Sequence, residues 1–290
     1  MSLSKFFHTQ HYFDSAAEYD CKKGREYFGN AALDYAKDHE EYSTTIEKNL
    51  GYFDLPDDAD AVENAIRNIG FHYHEKFLAF VKDPHFYPDF FKEVACPKDT
   101  IYELLNNQED REPTLILCTH YGAMPLVVGT FNYHQMAISA VVRFPSPEFK
   151  KQQEDKLKQI RRTLNSGRLT FIQPDEQMMT KVSSTLAQGR TLYTVIDEHT
   201  SSSKTIEFLG KKITGGAGVD SIIEMVGHDT IKVYFSIMVR EGDSYRLDIH
   251  KVDTKNTDYI QDVFSIYEKY VADAYEQWFF LQEVHENIPE

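Results

Sequence analysis

Apolar positions along the chain follow two different periods, and the change from one to the other divides it. From Asp58 to about Val81 they recur at helical spacing, at Ala61, Ala65, Ile66, Ile69, Phe71, Phe77 and Phe80. A helix is therefore expected there, opened by the turn-like Leu55-Pro56-Asp57-Asp58 step. Ala31 to Asn49 suggests further helical fragments before it. From residue 98 onward, short β-branched and apolar runs alternate with helical stretches. Strands are predicted over 114–118, 137–143, 169–172, 192–196, 231–239 and 245–252. Helices fall near 123–132, 147–166, 175–188 and 218–226, with a long terminal helix from about Thr257 to His285. This alternation argues for βαβ crossovers and a mostly parallel sheet. The last two strands, joined by Arg240-Glu241-Gly242-Asp243-Ser244, read as a hairpin. The expected fold is thus α/β, a mostly parallel central sheet flanked by helices. Residues 1–97 form an N-terminal helical extension packed on a 98–290 core, the two together making one structural domain.

Composition narrows the partners. The 290-residue chain carries 46 Asp and Glu against 31 Lys and Arg, a net charge of −15. Such a surface repels nucleic-acid phosphates and anionic headgroups, so no nucleic-acid partner is expected. No apolar run approaches the ~18 residues of a membrane span, which leaves at most peripheral membrane contact. Cys21, Cys96 and Cys118 are odd in number and far apart, pointing to reduced thiols and a cytoplasmic location.

In a parallel sheet, ligands gather at the C-terminal ends of the strands. The first predicted strand delivers His120 there, followed by Tyr121 and Gly122. A titratable group in that place suits catalysis; the plain alternative is a His capping a loop. The second strand ends at Arg143, which can bind an anion or pair with one of the many carboxylates. The fourth delivers Asp197 and Glu198, able to orient His120 or simply to stand in solvent. The run Thr214-Gly215-Gly216-Ala217-Gly218 before a helix can present N–H groups to an anion or form a flexible loop. Cys118 reads as a small buried hydrophobe rather than a nucleophile. His72 and His74, two residues apart on a helix, point to different faces, which favours a packing or surface role over a metal site. No metal or other cofactor is expected.

Four segments, in order, resemble one family. They are ILCTHYGAM, VVRFPSP, VIDEHTSSSKTIEFLGKKITGGAG and Glu276-Gln277-Trp278-Phe279-Phe280. Together they are similar to the lysophospholipid acyltransferase superfamily, in its branch of bacterial lipid A late acyltransferases. The resemblance implies an acyltransferase in which His120 is the general base. An acyl group would move from a thioester on acyl carrier protein or coenzyme A to a hydroxyl or amine acceptor. It further implies that Arg143, Tyr121, Gly122, Gly215 and Gly216 lie beside the substrates. The family's motif acid follows its His by five positions, and here that position is Pro125. Asp197 or Glu198 is the expected substitute. Without one, the chain would be a non-catalytic acyl or carrier-binding protein; with water as acceptor, a thioester hydrolase. Its acidic, anchorless sequence implies a soluble member acting on a small-molecule or carrier-bound acceptor.

Overall fold

A computed structural model of the chain describes residues 2–144, 147–164, 167–200, 203–216 and 218–288. Pro145, Ser146, Ser201, Ser202 and Ala217, which fall within the family-like segments, lie outside the described residues.

The N-terminal part is helical: α1 (Leu3–Phe7), α2 (Gln10–Glu18), α3 (Cys21–Asp38), α4 (Glu40–Tyr52), α5 (Ala59–Val81) and α6 (Phe86–Lys92). The long α5 begins where the sequence places it, because the Asp58 carboxylate accepts the Ala61 N–H at 3.0 Å. Its apolar stripe, Ala65, Ile66, Ile69, Tyr73 and Phe77, is buried. After α7 (Lys98–Glu109) the alternation starts. It runs β1 (Thr114–Cys118), α8 (Val127–Tyr133), β2 (Ile138–Val141), α9 (Pro147–Leu164), β3 (Leu169–Ile172), α10 (Met178–Ala187) and β4 (Thr191–Val195). Then come β5 (Lys204–Phe208), β6 (Lys211–Gly215), α11 (Val219–Val226), β7 (Lys232–Glu241), β8 (Ser244–Val252) and α12 (Tyr259–Asp273).

The six-stranded sheet has the order β3-β2-β4-β1-β7-β8, parallel except for the antiparallel edge strand β8. Every residue of the central β1 is buried, as a strand covered on both faces requires. Its side chains alternate between two cores. Leu115 and Leu117 join the core made with α3, α4, α5 and α12, whereas Ile116 and Cys118 join the one under α6, α7 and α8. The first of these cores contains residues from both the helical N-terminal part and the sheet.

Two expectations are corrected. The terminal helix ends at Asp273, far short of His285, and the chain continues in 3₁₀ turns at Tyr275–Gln277, Phe279–Gln282 and Val284–Asn287. The cause is tertiary. Trp278 pairs its backbone with Tyr121, and the Gln277 carbonyl accepts the Gly122 N–H at 2.8 Å. These bonds pull the backbone out of helical geometry and bury Trp278 against Phe53, Phe208 and Tyr267. The second is the separate β5–β6 hairpin, where no strand was predicted. Its two-residue turn, Leu209-Gly210, has φ of 49° and 70°, the left-handed geometry that tight hairpins need.

Candidate active site

Strand β1 ends at Cys118, and β4, its neighbour in register, ends at Val195. The loops leaving these adjacent ends bring His120 and Asp197 together. Asp197 grips the His120 residue with both carboxylate oxygens. Oδ2 accepts the His120 backbone N–H at 2.7 Å and Oδ1 lies 2.9 Å from the ring Nδ1. Asp197 is in turn fixed by Asn287, whose Nδ2 donates to its carbonyl at 2.6 Å and to the Thr214 carbonyl at 3.0 Å. A neutral His120 in this setting carries its proton on Nδ1 and leaves Nε2 as the basic atom. Nε2 lies 3.7 Å from Glu198 Oε1, whose side chain is 60% exposed against 3% for Asp197. Two carboxylates therefore flank one imidazole, one buried and one open to solvent. Burial is the strongest single influence on His120 and pushes its pKa down. The Asp197 charge and hydrogen bond, then Glu198 and Glu283, more than reverse it, so the net shift is upward.

The loop is held rigidly from behind. Gly122 has φ +56°, and a Cβ there would fall 1.8 Å from the Met238 carbonyl oxygen. Only glycine fits so close to β7. The Gly122 carbonyl accepts from Arg240 Nη2 at 2.7 Å, and Arg240 is paired bidentately with the fully buried Glu75 at 2.7 Å on both arms. Gln277 closes the same loop: its Oε1 accepts the Arg240 N–H and its Nε2 donates to the Arg240 carbonyl, as a peptide unit would.

His120 and Glu198 open onto a cavity of about 620 Å³ that laps over the ends of β2, β3 and β4. Its walls come from both sides of the sheet: Ala140, Phe171 and Tyr193 from one face, Val141, Met178 and Val182 from the other. The volume and apolar lining suit a small-molecule or acyl-chain site. Helix α5 contributes His72 and Lys76, and Phe279 stacks on His72 with centroids 3.7 Å apart. Phe280 stacks on His120 itself at 5.7 Å.

No family model matches the chain, and no curated protein does either. The reading of the site therefore rests on its geometry.

Of the residues singled out in the sequence, His120, Asp197 and Glu198 converge, and Arg143 stands exposed on the cavity wall. Pro125 also lines the cavity, while Asp197 occupies the hydrogen-bonding place at His120. Tyr121, Gly122, Gly215 and Gly216 are placed elsewhere. Tyr121 is buried with its hydroxyl donating to the Tyr270 and Ala274 carbonyls, and Gly122 is packed on β7. Gly215 pairs with Lys204 in the hairpin, and the Gly216 N–H donates to the Ile196 carbonyl. None of the four lines the cavity. His72 and His74 are both buried, which takes the packing alternative, and His72 also borders the cavity. Lys76 and Phe279 were not anticipated. The available signal for Lys76 was weak: its i, i+4 spacing puts it on the face of α5 that carries His72. No helix of the described residues is long and apolar enough to cross a membrane.

Proposed function

We propose that the chain is an acyltransferase that moves an acyl group from a thioester donor, on acyl carrier protein or coenzyme A, to a hydroxyl or amine acceptor. The observation that carries this reading is the Asp197–His120 pair facing an apolar cavity. In the proposed step, His120 Nε2 takes the proton from the acceptor as its oxygen or nitrogen attacks the thioester carbonyl. The tetrahedral intermediate then expels the thiolate, and the proton passes from His120 to that sulfur. Asp197 holds the ring in the tautomer this requires and offsets the charge of the imidazolium. The apolar cavity receives the acyl chain. The Asp197 contact does for His120 what the acid at the Pro125 position does in the resembling family.

The direct test measures thiol release with a panel of acyl-carrier and acyl-coenzyme A donors. Release by the native protein and its loss in His120→Ala would support thioester chemistry at this residue. Acyl-acceptor product in the presence of alcohols or amines would mark a transferase. Free acid formed equally well without any acceptor would instead mark a hydrolase. That second reading draws on exposed Glu198, 3.7 Å from Nε2 and able to orient a water. Tight binding of acyl donors with no thiol release would overturn both and leave a binding protein.

A further inference from the structure

The backbone around His120 offers few free donors. The His120 N–H is taken by Asp197, that of Tyr121 by the Thr119 carbonyl, and that of Gly122 by Gln277. The Ala123 N–H goes to Met238 and that of Gly216 to Ile196. With these five N–H groups taken, a side chain is the readiest partner for a negative charge arriving on the α5 side of the cavity. On this wall the cation is Lys76, one helical turn beyond His72 on α5, half-buried and lining the same cavity. Among the described residues, no hydrogen bond or ion pair reaches its ammonium, which lies over the Tyr73 ring at 5.9 Å. Burial holds the Lys76 pKa below its ordinary value, with Glu283 the opposing influence. A half-buried ammonium that lines an apolar cavity and makes no direct hydrogen bond or ion pair among the described residues is placed to receive a ligand's negative charge.

We propose that Lys76 forms a carboxylate-binding subsite in this cavity, beside the space that takes an apolar chain. A carboxylate fits better than a phosphate. One ammonium balances a single negative charge, and Glu198 and Glu283 nearby would oppose a dianion. The carboxylate belongs either to a free acyl acid or to an acceptor that carries one beside its hydroxyl or amine. The inference deepens the acyl-transfer reading and rests on it for the chain-binding role of the cavity.

The test has two arms. In the first, equilibrium binding of dodecanoate is compared with that of dodecanol to the native protein, Lys76→Met and Lys76→Arg. Native protein should prefer the acid by about tenfold or more, the range of a charge-assisted hydrogen bond. Lys76→Met should bind the alcohol as before, which shows that it is folded, and lose the preference; Lys76→Arg should keep part of it. In the second arm, acyl transfer to serine is compared with transfer to serinamide. A preference for serine that vanishes in Lys76→Met would assign the carboxylate to the acceptor; one confined to the first arm assigns it to the acyl acid. Equal binding and equal transfer in the native protein, or a preference that survives Lys76→Met, would overturn the subsite while leaving acyl transfer intact. Failure of the native protein to bind either chain would overturn the acyl-chain cavity and the subsite with it.

Discussion

Two regions of this protein hold buried histidines and treat them in opposite ways. In the loop after β1, His120 is flanked by Asp197 and Glu198, and its pKa is raised despite burial. In the middle of α5, His72 and His74 are more deeply buried and have no carboxylate partner. Among the described residues, His74 has no hydrogen-bond partner at either ring nitrogen, and neither has His72 at Nδ1. Burial is therefore the leading influence on both: His74 is pushed down to about 3, with Lys82, Arg25 and Arg240 adding to the effect and Asp20 opposing it, and His72 is pushed well below its ordinary value, with His120, Arg240 and Lys76 adding. The same residue type has its protonated form favoured at one place and its neutral form at the other. What separates them is the carboxylate that the fold brings to the ring, not the degree of burial.

The largest effect should come from removing that carboxylate. Asp197→Asn is expected to lower the acyl-transfer rate by about 10²- to 10⁴-fold, comparable to His120→Ala, in the thiol-release assay. Because His120 must be neutral to act, activity in the native protein should rise with pH through an inflection above 6.5, the ordinary value for His. Residual activity in Asp197→Asn should show that inflection at lower pH. An unchanged inflection would mean that Asp197 only shapes the loop.

Next in size is the support behind the loop. Arg240→Met leaves the buried Glu75 carboxylate without its partner and should cost about 3–5 kcal/mol of stability, read from denaturant unfolding. The double variant Glu75→Leu with Arg240→Met should recover most of that loss, since an apolar pair leaves no buried charge. Gly122→Ala should cost about 1–3 kcal/mol, because a positive φ and the Met238 carbonyl both oppose a side chain there. It should lower activity through a displaced His120, with kcat falling more than KM rises. A rise in KM alone would restore Gly122 to a substrate-binding role.

The smallest effect is expected on α5. His74→Leu should change stability at neutral pH by about 1.5 kcal/mol or less and leave turnover unchanged. Its signature is in the pH dependence. A histidine kept neutral in the folded state takes up a proton on unfolding, so native stability falls as pH drops below about 6.5. His74→Leu should lose part of that fall, and its advantage over the native protein should grow toward acid. His120 acts in the other direction. Its raised pKa contributes stability that is fully present below its unfolded value and lost as pH rises through the folded one. Unfolding curves of His74→Leu and His120→Ala across pH should therefore diverge in opposite senses.

Much of this architecture follows from local sequence. Period-2 and period-3.6 patterning is a property of neighbouring residues, so the runs 114–118 and 169–172 and the helix capped by Asp58 could be placed directly. The alternation of strands and helices also implied a parallel sheet, and with it a site at the strand ends where His120 lies. Strand adjacency was another matter. Asp197 is 77 residues from His120 and becomes its partner only because β4 sits beside β1 in register. In sequence Asp197 and Glu198 were both delivered by a predicted strand end, and nothing local decided which of the two would bind the ring. The early end of the C-terminal helix has no Pro or Gly to announce it; it follows from the burial of Trp278 and the backbone pairing with the His120 loop. Lys76 reaches the cavity only because α5 packs across the sheet's end, carrying a residue 44 positions before His120 into the same pocket. The chain by itself thus determined most of its elements and the strand end at which His120 lies. Which side chains meet there was decided by long-range packing, because contact between distant residues depends on how the elements stack and leaves no period in the sequence.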